Sequence, residues 1–308
     1  VLPSGEIAQA NIDFENIKKL NAITKQYGLG GIVQHGASTL EESQFEKLNK
    51  VGILEVHLST LFSDVVFDSK SFPKELKEKT IPEKDYSTIS KTWLNTMVEL
   101  HQLDYNKLGL SDLGKPEGYV ERQVRNWSKQ YLKAATSDIK EANFIMEWLH
   151  NHQPKQYKHS LIHNDYKYDN VVFSLESWKK INSILDWEMC TIGDPLMDLG
   201  TSIAYWAMSS DPKGLLSAFD YPTSLKGNPT RLEVVDMYEK KTGEPVNNFV
   251  FYYVFGLFKI AVIVQQIYYR YNKGLTTNDK FKNLNQIAEI FCKTGWQSIQ
   301  KNRIENLF

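Results

Sequence analysis

The chain has very few cysteines. Only Cys190 and Cys292 occur among its 308 residues, far apart and without a His cluster at ligand spacing. This usage excludes a disulfide framework and gives no sign of a structural zinc site. The chain also opens at Val1 without a Met or a charged-then-apolar leader, so we expect no signal peptide. These absences predict a protein of a reducing compartment, the cytoplasm.

The chain also lacks an excess of charge of either sign. Its 36 Lys and Arg residues balance 37 Asp and Glu residues, so we expect no nucleic-acid partner. The one long apolar run, residues 249–271, contains Lys259, Gln265, Gln266 and Arg270. Charges and amides at those depths would be costly in lipid. We therefore predict a buried core helix rather than a membrane span, and no membrane partner.

The pattern of elements changes near residue 80. Before it, an apolar helical face runs through residues 14–27 and can end at Gly28. Residues 31–34 and 53–58 are strand candidates on either side of a polar helical stretch at 41–49. Strand, helix and strand at this spacing predict a parallel crossover unit.

After Pro82 the sequence is mostly helical. Asn228 and Pro229 resemble an N-cap and first turn for a helix that Gly243 can close. Three further apolar faces recur at steps of three and four residues, which is typical of core-facing helices. Their members are Tyr86, Ile89, Trp93, Met97 and Leu100; Val124, Trp127 and Tyr131; and Ile145, Trp148 and Leu149.

A group of polar residues flanks one short predicted hairpin, formed by residues 171–173 and 181–185. His163, Asp165, Lys167 and Asn170 precede the hairpin, and Asp186 follows it. The turn of the hairpin would bring the two sides together. An Asp, an Asn five residues later and a more distant Asp are the order that magnesium-dependent phosphoryl transfer requires.

Each of these residue types suits one step of that chemistry. Asp165 is the candidate base, because a carboxylate can orient a hydroxyl and accept its proton. Asn170 and Asp186 offer the oxygen ligands that Mg²⁺ prefers, beside the phosphates of ATP as co-substrate. Lys167 can stabilise the negative charge on the transferring phosphoryl group. His163 is placed with the catalytic residues, and an anchoring role by hydrogen bonds is favoured over proton transfer.

These residues, with Gly193-Asp194-Pro195 and Asp198-Leu199, resemble the aminoglycoside phosphotransferase and choline kinase superfamily. The segments 103–105, 118–123 and 127–131 are similar to the kinase-like domain of acyl-CoA dehydrogenase family members. The resemblance covers about residues 82–308. It implies an α+β fold, namely the mostly helical C-terminal lobe of a protein-kinase-like structure, with Asp194 and Asp198 in structural roles.

The same resemblance implies a small hydroxylated substrate, with a hydroxyacyl chain on coenzyme A favoured over an antibiotic. A complete member also has an N-terminal lobe with a phosphate-covering loop and a strand Lys, and neither is recognised before residue 82. Two hypotheses therefore stay open: an active phosphotransferase, and a non-catalytic remnant that binds a ligand or partner and self-associates through the exposed lobe face. The segment 199–308 is expected to shape the acceptor pocket, with lining candidates Trp206, Tyr252, Tyr253 and Tyr268.

Residues 1–79 resemble a different family, the C-terminal part of class II fructose-bisphosphate aldolase-like proteins. The stretches 27–40 and 55–60 carry this likeness, which implies a partial α/β segment derived from a TIM barrel. His35 would be one zinc ligand of a zinc-dependent lyase, the third hypothesis. His57 is the only other His before residue 101, so a three-ligand catalytic zinc site is disfavoured. A natural fusion, a deletion product and a gene-reading error remain alternative origins of the two-part chain.

Overall fold

A computed structural model of the chain describes residues 81–308 except 156, 175–176, 219–221 and 277. Before residue 81 it describes residues 14–15, 17–19, 32–34, 47, 50 and 53–56. The chain divides into two compact units, Val1–Thr80 and Ile81–Phe308.

The first unit contains a parallel strand pair. Strand β1 (Ile32–Gln34) pairs with strand β2 (Ile53–Val56), with Ile32 opposite Ile53. Residues 47 and 50, which lie between the two strands in sequence, are helical. This arrangement agrees with the predicted crossover unit. Gly28, His35 and His57 lie outside the described residues, so the descent of this unit from a barrel stays a prediction.

The second unit is mostly helical with short strands, which confirms the predicted α+β class. Its helices are α1 (Glu83–Gln102), α2 (Tyr119–Ala134), α3 (Lys140–Asn151), α4 (Pro195–Ala204), α5 (Lys213–Leu216), α6 (Arg231–Thr242), α7 (Phe249–Asn272) and α8 (Leu284–Lys301). Its strands are β3 (Ser160–Ile162), β4 (Val171–Phe173), β5 (Ile181–Ile184) and β6 (Thr191–Gly193).

The four described strands of this unit form two antiparallel pairs. Strands β4 and β5 form the predicted hairpin, with Val171 opposite Ile184. Strands β3 and β6 form a second pair, with Ser160 opposite Gly193, which the sequence analysis did not predict. Each strand of the second pair has only three residues, and about thirty residues separate them, so no local turn signal marks the pairing. The second pair closes a loop of chain that holds every predicted site residue.

Helix α7 is the core helix of the unit. It is long and apolar enough to cross a membrane by length and composition, but 78% of its most apolar window is buried inside the protein. It packs against α2, α3, α4 and α8. At the α4 crossing, an added Cβ on Gly256 would lie 2.5 Å from the Gly200 carbonyl oxygen, so the two backbones touch. The predicted core-helix assignment agrees with this burial.

The three predicted helical faces fall on α1, α2 and α3. Their apolar residues are buried, except that Trp148 is half-buried. The predicted start of α6 is wrong, because Thr230 rather than Asn228 caps that helix. The Thr230 hydroxyl accepts from the Glu233 N–H and the Glu233 carboxylate accepts from the Thr230 N–H, a reciprocal capping box. Gly243 ends the helix at φ 70°, as predicted.

Candidate active site

The predicted site residues lie on a loop between two strands. The loop, residues 163–170, begins where β3 ends and finishes in a 3-10 turn, Tyr168–Asn170, that leads into β4. We call it the base loop because it contains Asp165. Asp186 follows β5, and the next strand, β6, returns to pair with β3. The antiparallel pairing therefore brings the segment after Asp186 back beside the start of the base loop.

Asp198 holds the base loop from behind. This residue lies on α4 and is fully buried. Its carboxylate accepts hydrogen bonds from the backbone N–H groups of His163 at 2.7 Å and Asn164 at 2.8 Å, and His101 Nε2 lies 3.2 Å from it. Burial opposes ionisation of Asp198, but the hydrogen bonds from His101 and His163 hold its pKa below the usual range. The buried carboxylate therefore remains charged at neutral pH and fixes the turn.

Asn164 has a partner for each of its polar groups. Its backbone is left-handed, with φ 67°, a region that Asn tolerates better than most residues. Its N–H donates to Asp198 and its carbonyl oxygen accepts from Lys259 Nζ. Its side-chain oxygen accepts from the Tyr119 hydroxyl at 2.9 Å, and its amide nitrogen donates to the Met189 carbonyl at 2.9 Å. Elements from four parts of the chain thus fix the residue that precedes the candidate base.

The ring of His163 links the two sides of the site. Its Nε2 lies 2.7 Å from the Leu185 carbonyl oxygen, and its Nδ1 accepts from the Asp165 N–H at 3.2 Å. A carbonyl can only accept, so this network assigns the proton to Nε2 and a neutral ring. Both ring nitrogens are therefore occupied. The geometry supports the anchoring role that the sequence analysis favoured for His163.

Three predicted residues of the base loop meet on its exposed side, which we call the front of the loop. The Asn170 side-chain amide donates to the Asp165 carbonyl at 2.7 Å and to Asp165 Oδ2 at 2.8 Å. Lys167 Nζ lies 3.3 Å from the same carboxylate oxygen and 4.9 Å from the centre of the Tyr205 ring. About a quarter of each of the Asp165 and Lys167 side chains is exposed, 23% and 26%. A carboxylate, an ammonium and an amide thus converge where a substrate can reach them.

Asn170 and Asp186 are connected through the backbone. The N–H of Leu185, the residue before Asp186, donates to the Asn170 carbonyl oxygen at 2.8 Å. Asp186 adopts φ 60°, another left-handed position. Because the Asn170 amide nitrogen faces Asp165, the hydrogen bonds to Asp165 leave the amide oxygen, the atom that a metal would bind, unused.

The donor set fits magnesium better than zinc. Asn170 and Asp186 supply hard oxygen atoms, and Mg²⁺ completes its shell with water and phosphate oxygens. Within the described parts of the chain, no group of three or more His, Cys, Asp or Glu side chains is arranged to hold a metal. Such a group is what a catalytic zinc would need. Cys190 and Cys292 are free, and burial raises the pKa of the Cys190 thiol to about 11.

Asp194 and a large cavity lie outside the base loop. The Asp194 carboxylate accepts from the Leu196 N–H at 2.9 Å and caps α4, and burial raises its pKa to about 7. A cavity of about 940 Å³ is bordered by Asp194, His101, Tyr238 and Tyr252, and no base-loop residue lines it. Of the candidates for acceptor contact, Trp206 and Tyr253 are buried in the core, Tyr252 is buried but borders this cavity, and Tyr268 is half-buried. Their proposed lining role therefore stays a prediction.

The residues behind the loop were not predicted from the sequence. His101, Tyr119 and Lys259 contact Asp198 or Asn164 from α1, α2 and α7. Long-range partners of this kind leave no spacing signal in a single sequence. The signal that the sequence offers is Lys259, a cation near the middle of the apolar run 249–271.

Comparison with known proteins identifies the family of the chain. The sequence model described as "Phosphotransferase enzyme family" (APH) matches residues 75–232. A crystal structure of a Ralstonia eutropha protein assigned as an aminoglycoside phosphotransferase superimposes with a TM-score of 0.65 and 28% identity. That superposition covers 72% of this chain and 67% of the other.

Curated relatives lead to the same family. Acyl-CoA dehydrogenase family member 10 of Mus musculus is 33% identical over 208 residues, covering 67% of this chain and 19% of that protein. Family member 11 of Gallus gallus is 32% identical over 247 residues, covering 75% of this chain and 32% of that protein. The chain therefore spans about a third or less of the length of these relatives. The resemblance to their kinase-like domain is confirmed.

The comparisons give no support to the zinc-dependent lyase, and the family match does not include residues 1–74. Phosphotransferases of this family generally use ATP and Mg²⁺. The match covers just over half of the chain and includes every residue of the base loop together with Asp186. The chain belongs to the phosphotransferase enzyme family.

Proposed function

We propose that the protein transfers the γ-phosphoryl group of ATP to a hydroxyl of a small molecule, and that this molecule is a hydroxyacyl chain carried on coenzyme A. The observation that carries the proposal is the convergence of Asn170 and Lys167 on one Asp165 oxygen in front of a loop fixed from behind. The likeness to acyl-CoA dehydrogenase family members supports the acceptor class. We further propose a cytoplasmic location.

Asp165 is the proposed base in this mechanism. Its carboxylate orients the acceptor hydroxyl and takes its proton as the oxygen attacks the γ-phosphorus. The bond from the γ-phosphorus to the bridging oxygen breaks, and ADP leaves with that electron pair. Lys167, at 3.3 Å from Asp165, stabilises negative charge on the phosphoryl oxygens during transfer.

Asn170 and Asp186 are the proposed metal ligands. A magnesium ion bound there would neutralise phosphate charge and orient the β- and γ-phosphates. The protein contributes the geometry, since the Leu185 N–H to Asn170 carbonyl bond joins the two ligand segments. His163 holds the same junction through the Leu185 carbonyl and takes no part in proton transfer.

The test is phosphoryl transfer from γ-labelled ATP to matched acceptors. A hydroxyacyl-CoA, the corresponding deoxy acyl-CoA and an aminoglycoside would be compared with and without a magnesium chelator. We expect label on the hydroxyacyl-CoA alone and only with magnesium. Transfer to the aminoglycoside alone would contradict the acceptor class, and absence of transfer to every hydroxylated acceptor would contradict the proposed function.

A non-catalytic role remains the second candidate on the sequence pattern alone. It predicts concentration-dependent association through an exposed apolar face. Sedimentation at several protein concentrations would detect this. A monodisperse chain that transfers phosphate would exclude that role.

A further inference from the structure

Lys259 is a buried charge that the proposed phosphoryl transfer does not use. It lies in the middle of α7, the core helix, and only 3% of its surface is exposed. The described part of the chain offers no carboxylate within ion-pair distance of its ammonium group. An ammonium in such a position is costly unless its hydrogen-bonding and charge are compensated.

The contacts of Lys259 lead to the base loop. Its Nζ donates to the Asn164 carbonyl oxygen at 2.5 Å and lies 5.5 Å from the centre of the Trp127 ring. The ring face attracts a cation, so it partly compensates the lost hydration. The carbonyl that accepts from Lys259 belongs to the peptide bond between Asn164 and Asp165. The buried charge therefore acts one bond away from the candidate base.

This contact also opposes a backbone strain. Asn164 has φ 67°, a left-handed conformation that a non-glycine residue keeps only where its surroundings fix it. Asp198 fixes the N–H of Asn164, while Lys259 fixes its carbonyl. Without Lys259, the peptide that leads into Asp165 would lose its only described side-chain partner on the carbonyl side.

Electrostatic attraction also favours the position of the Lys259 ammonium group beside the base loop. Burial lowers the pKa of Lys259 to about 8, while the negative charges of Asp165 and Asp198 raise it and the positive charge of Lys167 lowers it. The ammonium group of Lys259 is therefore attracted toward the base loop and toward Asp198 behind it.

We propose that Lys259 is a positioning residue of the phosphotransfer site, which holds the Asn164–Asp165 peptide so that the Asp165 carboxylate faces the acceptor hydroxyl. The kinetic part of this inference rests on the proposed function. The structural part, that Lys259 orders the base loop, does not.

The test compares two buried polar residues of the same helix. Gln265 is 1% exposed and, like Lys259, donates to a backbone carbonyl, that of Ala134 at 3.0 Å, far from the base loop in sequence. Lys259→Met and Gln265→Met therefore remove comparable polar groups from α7. We expect Lys259→Met to lower kcat about 10- to 100-fold with KM values within about threefold, because misplacement of a reacting group acts on the chemical step. Gln265→Met should leave kcat within about threefold of the wild type.

A second readout does not depend on catalysis. Hydrogen exchange of peptides spanning residues 161–170 should quicken in Lys259→Met and stay at the wild-type rate in Gln265→Met. Lys259→Arg, which keeps the charge and donors, should recover part of both losses. If Lys259→Met does not fold, Lys259→Leu, which also lacks a donor, serves in its place with the same expected results.

The outcomes distinguish the role of Lys259 from the proposed phosphoryl transfer. Equal kcat and equal loop exchange in the two Met variants would overturn the inference about Lys259. A wild-type chain that transfers phosphate to no acceptor would overturn the proposed function, while the exchange data would still decide whether Lys259 orders the loop.

Discussion

The front and the back of the base loop differ in chemistry and in burial. In front, Asp165 and Lys167 are about a quarter exposed and within 3.3 Å of each other. Behind, Asp198 and Lys259 are buried and form hydrogen bonds with the loop backbone, while the buried ring of His101 contacts Asp198. The front supplies reacting groups, and the back supplies their geometry. Changes at the front should therefore alter activity with little effect on stability, and changes behind should alter both.

The largest expected effect is on activity, at the front. Asp165→Asn keeps the size of the side chain but removes the proton acceptor, so we expect the transfer rate to fall about 10²- to 10⁴-fold. The free energy of unfolding should change little, because the Asn amide has the same size and keeps an oxygen that can accept from Asn170. Steady-state transfer assays and chemical denaturation measure the two quantities.

Asp169→Asn is the matched control for this change. Asp169 lies in the same loop and is exposed, and no role is assigned to it. A similar loss of activity in both variants would mean that loop charge in general, and not the Asp165 carboxylate, supports transfer.

The next largest effect is on stability, at the back. Asp198→Ala removes an acceptor from two backbone N–H groups and leaves His101 without its carboxylate. Removing one partner from a buried charged network costs about 3–5 kcal/mol. Urea denaturation should show a loss of this size, together with lower activity. A loss below about 1 kcal/mol would contradict the role of Asp198 as the support of the loop.

Asp194 provides a pH-dependent test of the same helix. Its pKa is raised to about 7, so between about pH 4 and pH 7 the native state binds more protons than the unfolded state. Its contribution to stability is therefore fully present below about pH 4 and is lost as the pH rises to 7. Asp194→Asn keeps the capping oxygen and cannot ionise, so its stability relative to the wild type should rise by a few kcal/mol over this range. Parallel stability curves for the two proteins would contradict this.

The smallest effect is expected at the crossing of α7 and α4, the two helices that carry Lys259 and Asp198. An Ala at Gly256 would place its Cβ 2.5 Å from the Gly200 carbonyl oxygen, a backbone atom of α4. Overpacking of this kind costs about 1–3 kcal/mol. Gly214→Ala is the control, because its new Cβ would meet only the flexible end of Ile290 at 3.0 Å. Equal melting temperatures for the two variants would count against a tight crossing.

The difference between front and back also explains what the sequence could predict. Asp165, Lys167 and Asn170 are close in sequence, and the hairpin of β4 and β5 was recognisable from its apolar runs and delivers Asp186. Helical faces such as that of Trp93 and Met97 were predictable for the same reason, because their period is local. Family resemblance then added the α+β lobe and the nucleotide and metal expected at the site.

The partners behind the loop could not be predicted in this way. Lys259 is separated by 95 residues from the Asn164 carbonyl that it contacts, and His101 by 97 residues from Asp198. The start of α6 was mispredicted because Asn228-Pro229 is a good local capping signal. Tertiary contacts use Asn228 differently, as an acceptor from the Ser90 hydroxyl at 2.9 Å. Local sequence patterns do not contain information about such long-range contacts.

The most direct test of the proposed magnesium-nucleotide site is calorimetric titration of the chain with ATP and magnesium, beside Asp186→Asn. If the base loop and Asp186 form a magnesium-nucleotide site, the wild type should bind with measurable heat that depends on magnesium. The variant should then bind at least about tenfold more weakly, because a neutral amide replaces an anionic ligand. Equal binding by the two proteins, or no binding by the wild type, would contradict a magnesium-nucleotide site at the base loop and Asp186.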